Sequence, residues 1–234
     1  MPENIVAILP ELGVAIGQTC LMLAIGLSAA LLIGGPLGIL LFLLGPGQSL
    51  ANRPAFLILN WLVNTVRSFP FIILLVALVP FTRIVAGTSI GPLAAAVPLS
   101  VAAIPYLARL VDQCLREVPR GVIEAAHAMG ASNSRIIFRH LIPNTLGSLI
   151  VWTTLAAANA IILEASLTYL GFGVNGANET SLGRLVSEGV QAASTRPWLF
   201  YFPGITLLVI VLSINLIGDG VRDAFDPSNR RVRA

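Results

Sequence analysis

Lysine is absent from this chain of 234 residues, and charged residues of every kind are scarce. Aspartate, glutamate and arginine together make up 11% of the chain, whereas charged residues make up roughly a quarter of a soluble domain. Hydrophobic residues make up 56% of the chain, and the mean hydropathy is +0.87. This balance excludes an ordinary soluble domain and predicts an integral membrane protein.

Several classes of protein are disfavoured by other shortages. Only two cysteines occur, Cys20 in the first apolar run and Cys114 in a polar segment, so no disulfide framework is expected. The 14 basic residues, all arginine, are scattered at the ends of apolar runs, so nucleic acid is not an expected partner. The first apolar run has no basic residue before it and continues without charge from residue 12 to residue 52. We therefore expect it to remain as a membrane span and not to be cleaved as a signal peptide.

Catalytic and metal-binding motifs are missing as well. No phosphate-binding Gly-x-x-x-x-Gly-Lys loop is present, so the chain is not expected to hydrolyse ATP. The two histidines, His127 and His140, fall in separate predicted helices and do not form a metal-ligand pattern. Asp219 stands between two glycines, yet no second intramembrane aspartate is available for an aspartyl protease. The sequence predicts neither an enzyme nor a resident cofactor or metal.

Five apolar runs approach the length that crosses a bilayer, which takes about 20 residues of helix. The expected fold is therefore all-α: a polytopic membrane protein of about five transmembrane helices, forming one domain over residues 1–234. Pro70 removes a backbone donor and is expected to kink the second span. A further stretch, residues 182–193, is weakly helical in pattern. The predicted spans are residues 19–44, 55–80, 92–107, 146–169 and 198–217.

The distribution of arginine orients these spans, because cytoplasmic loops carry an excess of basic residues. Five spans place the termini on opposite sides, while the central polar segment and the C-terminal tail share one side. That side holds most of the arginines, so it is expected to be the cytoplasm, with the N-terminus outside. Its arginines are Arg53, Arg109, Arg116, Arg120, Arg135, Arg139, Arg222, Arg230, Arg231 and Arg233, against Arg83, Arg184 and Arg196 on the other side.

Three polar residues within the predicted spans are candidate functional residues. Arg67 is costly in a bilayer, so it either faces a cavity or partner or extends to the headgroups, and the sequence leaves both alternatives open. Glu164 is a candidate either for the solute path or for packing inside the helix bundle. Asn159 is a candidate for a hydrogen bond between helices.

The polar segment over residues 109–143 is the longest interruption of the apolar sequence. Apolar residues recur there at helical spacing: Val122, Ile123, Ala126 and Met129. Gly130 is typical of a helix end that needs a left-handed residue, Ser132 is a favourable N-cap for a second short helix, and Pro143 marks the start of the next span. Spacing alone favours a connector on the membrane surface over a helix that inserts into a groove of a partner.

The same segment resembles the signature loop of ABC importer permeases. The resemblance rests on Glu124-Ala125-Ala126, then three residues, Gly130, and finally Pro143, although His140 stands where the family pattern has an aliphatic residue. In that family the loop forms the coupling helix, which docks on the cytosolic ATP-hydrolysing subunit. The resemblance implies this coupling role for Arg120, Glu124, Ala125, Ala126, Gly130 and Pro143.

The resemblance covers almost the whole chain but divides between two branches of the family. Residues 55–131, with Arg67-Ser-Phe-Pro-Phe, resemble the methionine-importer permease, as do the length and the five-span layout. Residues 138–228, with Glu164-Ala-Ser-Leu-Thr-Tyr-Leu-Gly-Phe-Gly173, resemble dipeptide, oligopeptide and nickel permeases. Those permeases carry a proline-rich segment and a Trp-Gly pair in their last external loop. In this chain residues 175–180 contain no proline, and Leu182 precedes Gly183. Methionine is the favoured solute, with peptides or nickel as the alternative.

The resemblance also implies partners. The chain would be a permease subunit of the bacterial inner membrane, working with a second copy or with a homologous permease. Cytosolic ATPase subunits would bind ATP and magnesium, an external binding protein would deliver the solute, and no cofactor would reside in this chain. The rival from another class is an ion-driven secondary transporter. It is disfavoured, because such carriers show inverted repeats and paired half-helices, and no repeat is visible here.

Overall fold

The computed structural model describes residues 2–169 and 180–225, and every regular element in these ranges is helical. The α-helices in the described part are α1 (Pro2–Ala29), α2 (Gly35–Leu44), α3 (Arg53–Ser68), α4 (Phe71–Ala86), α5 (Pro92–Glu117), α6 (Arg120–Ala128), α7 (Asn133–Ile136), α8 (Ile142–Tyr169), α9 (Leu182–Ala192) and α10 (Trp198–Phe225). π-Helical turns join α1 to α2 at Ala30–Gly34 and α7 to α8 at Ile137–Leu141. The all-α class expected from the sequence is confirmed.

Several of these helices are long and apolar enough to cross a membrane. Four such stretches occur among the described residues: Ile8–Leu44, Pro92–Glu117, Thr145–Ser166 and Trp198–Val221. A fifth crossing is available if α3 and α4, which are bent by 107° at their junction, form one broken span. The structure thus agrees with the expectation of about five transmembrane helices.

The bend between α3 and α4 occurs at Phe69 and Pro70. Pro70 has φ −55° and ψ 132°, outside the helical region, and its carbonyl accepts the Leu74 amide at 3.0 Å. The proline ring also disfavours a helical conformation at the residue before it, so α3 ends at Ser68. The kink expected at Pro70 is therefore a complete break in the helix.

Three long helices extend beyond the spans expected from hydropathy. α1 begins at Pro2 and not at residue 19, and α10 continues to Phe225 and not to residue 217. α5 continues to Glu117 and not to residue 107. In contrast, α9 matches closely the helical pattern of residues 182–193. The sequence locates these helices correctly but places several of their ends too early or too late.

The extension of α5 corrects the start of the central polar segment. Arg109, Asp112 and Arg116 all lie in α5, although the sequence assigns residues 109–117 to the polar segment. Both arginines pair with Asp112, because positions three and four apart share one face of a helix. Because these three charges are paired on one face of α5, the helix continues through them to Glu117.

The chain divides into two compact units. Unit 1 consists of Met1–Ser28, Phe69–Ala102 and Ala156–Asn215. Unit 2 consists of Ala29–Ser68, Ala103–Leu155 and Leu216–Ala234. The helices α5, α8 and α10 contribute residues to both units. The segment between α5 and α8 lies wholly in unit 2, whereas Glu164 lies in unit 1.

The apolar core of unit 2 joins α2, α5 and the short helices that follow α5. Its buried members are Ala30, Phe42, Leu107, Leu110, Val111, Leu115, Val118, Ala126, Ile136 and Leu141. Glycines let α2 and the turn before it approach α5 closely. A Cβ atom at Gly34 would meet the Ile104 carbonyl, and one at Gly38 would meet the Ala108 carbonyl and the Val111 side chain.

In unit 1 the short helix α9 packs against longer helices. Ala15 of α1 forms a small buried cluster with Leu182 and Leu185 of α9. A Cβ atom at Gly183 would collide with the backbone of α8 at Ala165. The absence of side chains at such positions allows backbone-to-backbone contact, so α9 is held tightly within its unit.

We expect Gly38→Ala to lower the free energy of unfolding by about 1–3 kcal/mol, because its methyl group would overpack the contact with α5. Thermal unfolding of the purified protein in detergent measures the effect. Gly35→Ala is the matched control, since a Cβ atom there meets nothing within 4 Å. Equal melting temperatures for the two variants would contradict the close packing of α2 on α5.

Candidate functional site

The segment between α5 and α8 begins with α6, which runs from Arg120 to Ala128 and ends at a glycine turn. Gly130 has φ +72°, in the left-handed region that favours glycine. The Ala131 amide donates to the Ala126 carbonyl at 3.1 Å and so closes the end of the helix. The glycine stop predicted at this position is confirmed.

α6 has one face in the core of unit 2 and another that is exposed. Ala126 is 1% exposed and belongs to the core, and Ile123 packs against the same cluster. Glu124 and Ala125 are exposed. Ala125 and Ala126 are assigned one coupling role by the sequence resemblance, but their environments differ. Ala126 packs the helix against the core of unit 2, and Ala125 is exposed.

Two large apolar side chains of this segment are exposed and are not among the predicted site residues. Met129 exposes 76% of its surface and Phe138 exposes 70%. Arg135 and Arg139, on either side of Phe138, are also exposed. Apolar side chains exposed among charged ones are typical of surfaces that meet another protein or the membrane. The exposure of Met129 has one indication in the sequence, which is its position directly before Gly130. The helix ends there, so Met129 no longer continues the face of α6 that packs against the core.

A cavity of about 480 Å³ lies beside α6. Ile123 and Glu124 of α6 line it, together with Gln48 and Ser49 of the turn that follows α2. The rest of its lining is Phe42, Leu43, Gly47, Ile136, Ile137 and Leu141. Glu124 is therefore accessible, in contrast to its buried neighbour Ala126.

The remaining predicted coupling residues lie at the ends of the segment. Arg120 is the first residue of α6, but its side chain lies outside the described residues, as do those of His127 and His140. Ser132 directly precedes α7, which is the position of an N-cap. Pro143 is exposed in the first turn of α8, so the next long helix begins where the sequence places it.

Glu164 is buried in unit 1, with 5% of its surface exposed. The Thr168 hydroxyl, one turn further along α8, donates to its Oε1 atom at 2.9 Å. Asn159, on the same helix, is exposed. Glu164 and Asn159 thus lie in different environments, one buried and one exposed, although both are predicted polar residues of the same span.

Arg67 lies in the last turn of α3, in unit 2. Its guanidinium carbon is 5.8 Å from the centroid of the Tyr106 ring, which is a cation–π distance. Both side chains are exposed. Arg67 therefore has an aromatic partner within its own unit, and this partner is not evident from the sequence.

A polar cluster that the sequence does not single out joins α3 to α5 in unit 2. Asp112 is 1% exposed and accepts from Arg109 at 3.1 Å and from Arg116 at 2.9 Å. Arg109 also donates to Asn60 Oδ1 at 2.6 Å and to Asn64 Oδ1 at 2.7 Å. The sequence feature that could have revealed this cluster is an aspartate placed three residues after one arginine and four residues before another. We call these five residues the Arg–Asp–Arg cluster.

The chain is similar in sequence to known membrane transport proteins. Residues 34–231 match the family described as binding-protein-dependent transport system inner membrane component. The probable D-methionine transport system permease protein MetI of Pasteurella multocida (strain Pm70) is 39% identical over 217 residues, which cover 92% of this chain and 95% of that protein. The D-methionine transport system permease protein MetI of Escherichia coli (strain K12) is 49% identical over 118 residues, covering 50% of this chain and 54% of that protein.

The fold is similar to that of solved transporters. A chain of the MetNI methionine ABC transporter in an inward-facing conformation has a TM-score of 0.82 and 33% identity, covering 94% of this chain and 98% of that chain. An amino acid ABC transporter solved with histidines has a TM-score of 0.59 and 19% identity, which shows a shared fold alone. Because the family match covers most of the chain and the Pasteurella relative nearly all of it, the protein belongs to the family of binding-protein-dependent transport system inner membrane components.

Proposed function

We propose that the protein is the permease subunit of an ATP-driven ABC importer that carries methionine across the bacterial inner membrane. The observation that carries the choice of solute is the match, over 92% of the chain, to a protein named as a probable D-methionine transport system permease. The TM-score of 0.82 to a chain of a methionine ABC transporter supports the same choice. Dipeptides and nickel are the competing solutes, because residues 138–228 resemble the permeases that carry them.

The energy for transport is proposed to come from a separate ATP-hydrolysing subunit that docks on α6, on the turn after it and on the π-helical turn Ile137–Leu141. Glu124, Ala125, Met129 and Phe138 are exposed there, while Ala126 anchors the helix to unit 2. A surface that combines exposed apolar side chains with Glu124, Arg135 and Arg139 is suited to a groove that has an apolar floor and charges of both signs at its rim. This face is the proposed docking surface.

In the proposed cycle, ATP draws two ATPase subunits together and the docking surface moves with them. The helices of this chain and of a second permease subunit then change from outward to inward access. Such a change requires contacts that differ between the two states at both the ATPase side and the solute side. The docking surface and the C-terminus would be cytoplasmic, the N-terminus would be outside, and an external binding protein would deliver the solute.

We expect Met129→Ala and Phe138→Ala each to weaken binding of the ATPase subunit by tenfold or more. Truncating a side chain at the centre of an interface costs ~2 kcal/mol, and roughly 1.4 kcal/mol corresponds to tenfold. The measurement is the affinity of the purified ATPase subunit for the permease in nanodiscs.

The matched control for these variants is Ile84→Ala on α4. Ile84 is 82% exposed and belongs to unit 1, whereas the residues of the proposed docking surface belong to unit 2. Its truncation should leave the affinity unchanged. Unchanged affinity in both Met129→Ala and Phe138→Ala would show that this surface does not bind the ATPase subunit.

Gly130→Asp should leave the protein in the membrane but uncouple it from the ATPase subunit. The left-handed φ of +72° is strained for a residue with a side chain, and the new carboxylate adds charge to the docking surface. Solute uptake and stimulation of ATP hydrolysis in proteoliposomes measure coupling. Gly121→Asp adds the same charge to α6 where a Cβ atom meets nothing within 4 Å, so it separates the effect of charge from that of the turn. Normal uptake and normal stimulation in Gly130→Asp would reject the docking role.

The solute is tested by uptake of labelled methionine, a labelled dipeptide and nickel in cells that express the complete complex. We expect uptake of methionine that depends on this chain, with no chain-dependent uptake of the other two. Chain-dependent uptake of the dipeptide or of nickel without methionine would reassign the permease to the peptide and nickel branch.

A further inference from the structure

The three charged residues of the Arg–Asp–Arg cluster are buried or half-buried, and the proposed function leaves them without a role. The side chain of Asp112 is 2% exposed, that of Arg109 is 14% exposed and that of Arg116 is 37% exposed. One buried carboxylate therefore holds two guanidinium groups on the same face of α5. Burying charge is costly unless it is paired and hydrogen-bonded, so such a cluster is more than a surface ion pair.

Within the cluster, Arg109 of α5 binds the two asparagines of α3. Its guanidinium donates to the side-chain oxygens of both Asn60 and Asn64, at 2.6 Å and 2.7 Å. These asparagines are one turn apart on α3, so the contact fixes how far α5 slides along α3 as well as how it rotates. The planar fork of arginine suits this arrangement, because its donors have fixed directions.

Arg116 connects the cluster to the end of α2. Its Nη2 atom is 2.8 Å from Asp112 Oδ1, and its guanidinium carbon is 5.8 Å from the centroid of the Phe42 ring. Gly45, just after α2, leaves room for this group, because a Cβ atom there would be 2.9 Å from Nη2. The cluster therefore holds α2, α3 and α5 in one relative register.

The end of α5 leads directly to the docking surface. Only Val118 and Pro119 separate α5 from α6. Val118 is 8% exposed and belongs to the same core as Phe42 and Ala126, and the proline ring fixes its own φ. Phe42 also lines the cavity beside Glu124. A shift of α5 against α2 would thus change the position of α6.

We propose that Arg109, Asp112 and Arg116 are positioning residues for energy coupling. They keep α6 in register with α2 and α3, so that movement of the docking surface is passed to these helices and is not lost as movement of α6 alone. This inference rests on the proposed docking of an ATPase subunit at α6. Buried ionic groups are well suited to fixing register, because a shifted arrangement leaves a charge unpaired.

The test uses the complete complex in proteoliposomes and measures solute uptake per ATP hydrolysed. Arg116→Gln removes one guanidinium from a half-exposed position, and Asp112→Asn removes the shared charge. We expect both complexes to retain the ATPase subunit and to hydrolyse ATP within about twofold of the normal rate, while uptake per ATP falls at least tenfold. Arg116→Lys, which keeps the charge, should recover part of the uptake that Arg116→Gln loses.

Glu188→Gln on α9 is the matched control, because Glu188 forms an i, i+4 pair with Arg184 at the same distance of 2.8 Å but in unit 1. Its uptake per ATP should be normal. Normal uptake per ATP in both Arg116→Gln and Asp112→Asn would overturn the inference, as would loss of the ATPase subunit from both complexes, which would make the cluster a requirement of folding alone. Failure of the unsubstituted protein to bind the ATPase subunit would instead reject the proposed function.

Discussion

A polypeptide backbone inside a bilayer has no water to bond with, so its polar groups must bond within the spanning segment. This constraint accounts for the wholly helical character of the described regular elements. Pro70, which cannot donate a backbone hydrogen bond, lies at the break between α3 and α4, although Pro80 and Pro203 are held inside helices. Close packing is then left to small residues such as Gly38 and Gly183, where one helix backbone reaches another.

Hydropathy predicts the crossing helices from the sequence, and Pro70 predicts where the second span is interrupted, although the expected kink is a complete break. The helix ends are less predictable. Hydropathy falls at the first charged residue of α5, but the helix continues because Arg109 and Arg116 share Asp112. Whether charges compensate one another depends on which helix face they share and on contacts with α3. Those contacts join residues 45 and 49 positions apart in the chain.

The candidate site is predictable to a similar degree and for related reasons. The turn at Gly130 follows from local chemistry, because a φ of +72° suits glycine. The different environments of Ala125 and Ala126 do not follow from local chemistry. They depend on how α6 sits on a core that includes Phe42, far away in the sequence. The exposure of Met129 and Phe138 depends on the same long-range packing.

The two π-helical turns, Ala30–Gly34 and Ile137–Leu141, have a consequence for changes in chain length. A π-helical turn holds more residues than the α-helical turn it replaces, and each residue of an α-helix advances its neighbour by about 100°. Deleting one residue from either turn would therefore restore an α-helical turn and leave the later side chains on their present faces, so Gly38 would still face α5. A deletion in a regular stretch of helix would instead rotate every later side chain by about 100°. The two π-helical turns are thus the places in these helices where the loss of one residue is best tolerated.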